Sequence, residues 1–164
     1  ALGGVVLSAS HNPGGPAGDF GIKFNVSHGG PAPESFTEAV FRRACTLTGY
    51  RITGEPAPDL DAIGDTRLGD MAVSIIDPVA DYAAMMGRLM DFDAIRALFR
   101  RGFRMRFDAM SAVTGPYAVE ILERRLGAPP GTVVNATPLP DFGGHHPDPN
   151  PVHAAELMAL MHGP

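Results

Sequence analysis

The order of periodic segments after Gly102 restricts this chain more than any other feature. Phe103, Met105 and Phe107 alternate with Arg104, Arg106 and Asp108, the period of two that marks a β-strand. Pro116 then opens a helix with Tyr117, Ile121, Leu122 and Leu126 inward and the Glu120/Arg124 pair outward, ending at Gly127. Residues 132–135 read as one more strand. Two strands joined through a helix run parallel, because only a crossover returns the chain to the same end of a sheet. This half is therefore predicted to be a parallel α/β layer. Residues 141–151 (DFGGHHPDPNP) form a rigid loop, and Asn150 with Pro151 can cap a last helix bearing Val152, Leu157, Leu160 and Met161. A strand is expected to follow that helix, so the layer reads as cut off before completion.

The first half has a looser grammar. Gly3-Gly4 followed by Val5, Val6 and Leu7 reads as a short buried strand, and polar residues 8–15 as the loop that ends it. A second strand is expected at residues 21–26 (GIKFNV), then a helix from about Pro33 with Phe36, Val40, Ala44 and Leu47 on one stripe and Gly49 as its stop. Residues 53–69 read as a surface connection, and 72–76 as a strand. Asp77-Pro78 opens a helix striped by Val79, Tyr82, Ala83, Met86, Leu89 and Met90, and a shorter helix over 93–100 completes a helical hairpin. The fold class is α/β, with mixed sheets flanked by helices, and one or two small domains fit the length.

Composition narrows the function classes. With 45% hydrophobic and 19% charged residues the chain is of ordinary globular type, and its 20 glycines and 16 prolines sit between periodic segments as turn punctuation. A formal net charge of -5, with no run of lysine or arginine beyond pairs such as Arg42-Arg43 and Arg100-Arg101, leaves no footprint for nucleic acid or an anionic membrane. A small-molecule partner is expected. Cys45 is the one cysteine, so no intramolecular disulfide can form, and its place in an apolar helical pattern predicts a buried thiol. No signal-peptide pattern and no spanning apolar stretch is found, which favours a cytoplasmic address.

Chemistry concentrates in the first loop. Ser10 cannot be a nucleophile elbow, since Ser8 and Asn12 stand where glycines are needed. Gly21 is followed by Ile22, with Lys23 one place late for a phosphate loop, and glycines at 15, 18 and 21 do not match a dinucleotide fingerprint. Asp59, Asp61 and Gly64 lack the later glutamate of a calcium loop. What remains is Ser10 at the mouth of a strand, beside His11, Asn12 and the Gly14-Gly15 pair, with Lys23 on the next strand. Such a setting suits a phosphoserine: glycine backbone can approach phosphate oxygens, and His11 and Lys23 can offset its charge of roughly -1.5 to -2. On the residues alone, a capped turn with an exposed serine remains the prevailing reading.

Residues 8–26 (SASHNPGGPAGDFGIKFNV), continuing as Gly29-Gly30-Pro31-Ala32-Pro33-Glu34, closely resemble the phosphoserine loop of phosphoglucomutases in the α-D-phosphohexomutase superfamily. The likeness continues at Asp108-Ala109-Met110 with Gly115-Pro116-Tyr117, at Leu126-Gly127-Ala128-Pro129, and at residues 141–150 (DFGGHHPDPN). Ser8 stands where many members have threonine, and Ser111 where several have histidine. The resemblance implies that Ser10 is the phosphorylated residue, that His11 and Lys23 line the reaction centre, and that one oxygen of the Ser10 phosphate binds Mg2+. It implies that residues 1–78 are the later part of domain I and 79–164 the earlier part of domain II. The family's other metal ligands, three aspartates in an Asp-Gly-Asp-Gly-Asp-Arg loop, would come shortly after Pro164.

The implied activity is interconversion of glucose 1-phosphate and glucose 6-phosphate through glucose 1,6-bisphosphate, which also serves as activator. The partner is a phosphorylated hexose, and the 164-residue segment alone is expected to be inactive. The alternatives are a phosphomannomutase or dual-specificity mutase, because the sugar loop lies elsewhere in the family, and a non-catalytic phosphoprotein or interaction module on the same fold. The Gly-Gly-Pro-Ala-Pro-Glu segment tilts the reading towards glucose. His145-His146 with Asp148 invites a zinc reading, but no supporting Cys or His lies at ligand spacing, so a structural loop is preferred. His28, His153 and His162 read as surface residues.

Overall fold

The computed structural model describes residues 2–12 and 17–162. The Gly14-Gly15 pair of the serine loop lies outside the described residues. The chain is mixed α/β and divides into two compact units: Ala1–Ser10 with Phe20–Ile76, and His11–Asp19 with Asp77–Pro164.

In the first unit, β1 (Gly3–Leu7) pairs antiparallel with β2 (Ile22–Val26), in a register that sets Gly3 opposite Val26 and Leu7 opposite Ile22. Helix α1 (Glu34–Cys45) follows the predicted Gly29–Pro31 break, and Phe36 on its first turn stacks on Phe24 of β2, with centroids 5.1 Å apart. That contact decides which side of the ribbon meets the helix. Beyond it, no described element of this unit covers the α1 stripe, and Val40, Phe41 and Leu47 stay exposed. Cys45 is exposed as well, so the expectation of a buried thiol is corrected. A helical apolar pattern buries a residue only where a partner packs on that turn.

Residues 53–69, expected as a plain connection, contain β3 (Gly64–Leu68), which pairs antiparallel with β4 (Met71–Ile75) around Gly69-Asp70. Gly69 has φ 58°, the left-handed value a tight hairpin needs, and Gly-Asp between two short runs was the available signal. Asp65, Thr66 and Arg67 mask the strand because a two-stranded ribbon exposed on both faces needs no apolar alternation. The Ser74 hydroxyl donates to Asp65 Oδ1 at 2.6 Å and Arg67 Nη2 to the Asp70 carbonyl at 2.8 Å, holding it from the side.

All the residues that are buried among those described lie in the second unit. Asp77 caps α2 (Pro78–Leu89) by accepting from Val79 N–H at 2.9 Å, with Pro78 in the first turn, and Asp91 caps α3 (Phe92–Arg100) through Ala94 N–H at 2.9 Å. β5 (Phe107–Asp108) pairs parallel with β6 (Val133–Val134), as the strand–helix–strand order requires. Only two residues of the predicted strand join the ladder, because the partner strand is itself two residues long. The intervening helix starts as α4 (Gly115–Ala118) and loosens into a π-helical segment, Val119–Arg125. Within it Arg125 donates to Glu120 Oε1 at 2.9 Å and Arg124 to Oε2 at 3.3 Å. These bonds, Arg125 first, hold the Glu120 carboxyl below the usual carboxylate range, against a partial desolvation that acts the other way.

The core comprises two clusters: Phe99, Leu126 and Ala128, packed by Phe92, Ile95, Met105, Ile121 and Leu122; and Ala109, Ala118 and Val133, packed by Phe107, Val119 and Ala136. Helix α5 (Ala155–His162) begins later than predicted, after a turn in which Asn150 Oδ1 accepts from Val152 and His153 N–H at 2.9 and 3.1 Å.

Gly115 is the tightest point of this core: a Cβ there would lie 1.9 Å from the Ala136 carbonyl oxygen. Gly→Ala at an ordinary helical position stabilises by about 0.5–1 kcal/mol. Gly115→Ala should instead destabilise by about 1–3 kcal/mol, since backbone has to move. Urea unfolding monitored by the near-ultraviolet dichroism of the edge-packed Tyr82–Tyr117 pair, 5.4 Å apart, checks the sign.

Candidate active site

The β1–β2 ladder does not stop at Leu7. Ser8 N–H donates to the Gly21 carbonyl at 2.9 Å, one step past the last paired residues. The Ser8 side chain then turns inward on its own loop, its Oγ accepting from Ser10 N–H at 3.0 Å. A threonine offers a hydroxyl at the same place, so the departure at residue 8 leaves this bond available. Ser10 has φ 59°, the left-handed region that costs a non-glycine residue about 1–2 kcal/mol. Its side chain is exposed. A nucleophilic or phosphorylated oxygen needs that exposure, and the strained backbone aims it there at a cost the ladder beneath offsets.

Lys23 sits within β2, opposite Val6, and is exposed. Side chains alternate across a strand, so with Phe24 turned to Phe36 of α1, Lys23 lies on the face away from that helix. Ser10 and Lys23 both belong to the first unit, whereas His11 is grouped with the second.

Within the second unit His11 meets a proline-rich loop. Its ring centroid is 6.1 Å from that of His146, tilted by 47°, and His146 stacks on His153 at 4.4 Å and 12°. His146 Nδ1 is buried and has no hydrogen-bond partner among the described residues. Asn150 Nδ2 donates to Asp148 Oδ2 at 2.7 Å while Asn150 Oδ1 holds the next turn, so the loop is tied on both sides of Pro149. Among the described residues no three His, Cys, Asp or Glu side chains are grouped to hold a metal ion. The Asp148 carboxylate is taken up in loop bonding and the His146 imidazole in ring stacking. Nor, among the described residues, is any helix long and apolar enough to cross a membrane.

Two family models cover most of the chain. The model for phosphoglucomutase/phosphomannomutase alpha/beta/alpha domain I matches residues 1–50, and that for alpha/beta/alpha domain II matches residues 80–162. The chain belongs to the phosphoglucomutase/phosphomannomutase family. It is similar to the phosphoglucomutase of Rhizobium radiobacter, 63% identical over 96% of this chain and 29% of that protein. Phosphoglucomutase-1 of Oryctolagus cuniculus is 46% identical over 98% of this chain and 30% of its own length. Among solved structures, the open form of the exocytosis-sensitive phosphoprotein pp63/parafusin, a Paramecium phosphoglucomutase, superposes with a TM-score of 0.90 at 42% identity over 98% of this chain and 30% of that one. The chain thus spans under a third of the length of these relatives.

This phosphoglucomutase/phosphomannomutase segment also holds a polar crevice. At the carboxyl ends of β5 and β6, a crevice of about 260 Å3 is lined by Asp108, Ser111, Asn135, His145, His153 and Glu156. Asp108 Oδ1 accepts from Asn135 Nδ2 and from Met110 N–H, both at 2.9 Å. Met110, Ser111, Asn135 and Phe142 around it all have positive φ without being glycine. Carboxyl ends of parallel strands are where open α/β sheets gather polar groups. The signal for it in the sequence is Asp108, an acidic residue closing an alternating strand.

Two substitutions test the loop base. A Cβ on Gly21 would lie 2.4 Å from the Ser8 carbonyl oxygen, so Gly21→Ala should cost about 1–3 kcal/mol and speed Ser8 amide exchange by about tenfold or more. Ser10→Gly should leave stability unchanged or higher, where a typical glycine substitution loses about 1 kcal/mol. Thermal unfolding of Ser10→Gly against Ser10→Ala separates backbone strain from loss of the hydroxyl.

Proposed function

We propose that this segment carries the phosphoserine station of a phosphoglucomutase, and that the longer enzyme interconverts glucose 1-phosphate and glucose 6-phosphate. The observation that supports this best is the exposed Ser10, held in a left-handed turn at the end of a ladder closed by Ser8 and Gly21. The identity to phosphoglucomutases supports the reaction class.

In the proposed reaction a sugar hydroxyl attacks the phosphorus of phospho-Ser10. The new P–O bond forms on the sugar, the bond to Ser10 Oγ breaks, and the hydroxyl proton passes to a base, for which the neighbouring His11 imidazole is at hand. The products are glucose 1,6-bisphosphate and Ser10, whose Oγ, as it leaves, takes up the proton that the base has accepted. After the sugar turns over, Ser10 Oγ gives its proton to the base and attacks the phosphorus of the other phosphate. The bond from that phosphorus to the sugar oxygen breaks, the sugar hydroxyl takes up the proton as it leaves, and the phosphoserine is restored. One fixed oxygen serves both ends of the sugar, so the turnover is obligatory. Charge spreads over the phosphoryl oxygens as they transfer, and a cation such as Lys23 stabilises them at that moment.

Mg2+ would bind through an oxygen of the Ser10 phosphate. The described residues alone do not build a metal site, so the remaining ligands would come from elsewhere in the longer enzyme. Glucose 1,6-bisphosphate would act as the activator that phosphorylates an empty Ser10. A phosphorylated hexose as substrate and a cytoplasmic address fit this reading, as does the division of the chain into the later part of domain I, to about residue 78, and the earlier part of domain II.

In the full-length enzyme, Ser10→Ala should abolish the phosphoprotein formed from labelled bisphosphate and lower kcat by at least about 1,000-fold. Label retained at the original stoichiometry would identify a different acceptor. Lys23→Met should lower kcat by about 100-fold or more while phospho-Ser10 still forms slowly. The 164-residue segment by itself should show no turnover, since positioning and charge stabilisation supply nearly all of such a rate.

A further inference from the structure

We propose that His146, backed by His153, is a positioning residue that seats the imidazole of His11 and thereby the segment next to Ser10. This rests on the reading of Ser10 as the phosphoryl carrier.

The loop that presents His146 is built to hold a ring still. Prolines at 147, 149 and 151 fix φ at three alternate positions. Asn150 ties the loop to itself through Asp148 and to the following turn through Val152 and His153 N–H. The His153 side chain is thereby brought over His146, and the two rings lie nearly parallel at 4.4 Å. The His146 ring is also met by that of His11, with centroids 6.1 Å apart. Three of the six histidines therefore form one row, and the row begins at the residue adjacent to Ser10 in the chain.

A second observation sets this row apart from ordinary packing. His146 Nδ1 is shut off from solvent without a partner among the described residues. Buried polar atoms are nearly always paired, and exceptions call for a specific explanation. No hydrogen bond from that nitrogen fixes the ring, so its seat is set by the ring contacts to His153 and His11, and another ring of that shape can occupy it. The exception lies on the side chain that touches His11.

His153 also lines the crevice at the carboxyl ends of β5 and β6, together with His145. Within the second unit the row thus runs from the parallel-strand ends to His11. Phosphoryl transfer is governed by alignment, and a displacement of about 1 Å at a reacting group can cost about 100-fold in rate. Seating His11 would therefore be read in kcat more than in sugar binding.

The test uses the full-length enzyme and four variants, with Ser10→Ala as reference. His146→Ala should lower kcat about 10–100-fold while KM for glucose 1-phosphate stays within about twofold. His146→Phe, which keeps a ring in the row, should stay within about threefold of the parent kcat. His153→Ala should lower kcat about three- to tenfold, and the His146→Ala/His153→Ala double variant should be no slower than His146→Ala alone, because His153 acts through His146.

A parental kcat in His146→Ala, an equal loss in His146→Phe, or an effect confined to KM overturns the proposal. Should His146→Ala fail to fold, His146→Phe and His153→Ala still decide, and a parental kcat in His153→Ala overturns it. An active Ser10→Ala enzyme would overturn the reading beneath it, whereas an inactive Ser10→Ala beside a fully active His146→Ala would overturn the positioning role alone.

Discussion

The pairing of β1 with β2 is the constraint on which the serine segment depends. It carries Lys23 within its register and ends at the bond from Ser8 N–H to the Gly21 carbonyl. Past that bond the chain has to turn, and it turns through a serine in a conformation that glycine would adopt more cheaply. A strained residue persists only where its surroundings over-determine it. Here the Ser8 hydroxyl does so from within the loop and the closed ladder from beneath it.

The two units are stabilised by different means. The first is held by backbone ladders and a single aromatic stack, with no buried residue among those described. The second has the buried clusters, the capped helices and the parallel pair. Polar groups lie at the edges of these arrangements: Ser10 at the open end of a ribbon, and Asp108 and Asn135 at the ends of parallel strands. Strand ends display side chains that the ladder has already positioned, and for a reaction that depends on alignment this is an economical use of rigid backbone.

The proline-rich loop illustrates how a sequence motif can be chemically misread. Two histidines and an aspartate in four residues match the donor chemistry of zinc. Pro147 and Pro149 separate them into a stiff extended path, Asp148 is engaged by Asn150, and the His146 ring is taken up by stacking. Donor type was legible in the sequence. Donor direction depended on which ring the next turn brought over the loop.

Local physics in the sequence was enough for the elements with strong end signals and regular periods. Asp77-Pro78 and Asp91 mark helix starts that the structure caps with those carboxylates, and the strand–helix–strand order dictates the parallel pairing of β5 with β6. Ser10 at the mouth of a strand, with Lys23 on the next, was legible for the same reason: turn chemistry and period are nearest-neighbour properties. Tertiary structure decided whatever depended on a partner far along the chain. It exposed Cys45 because nothing described packs on that turn of α1, cut the strand at 103–108 to two residues because its partner is that short, and made a hairpin of polar residues 64–68. It also stacked His153 on His146 and brought His11 to the same row. Burial, ladder length and ring contact are pairwise quantities, and a single sequence states only one member of each pair.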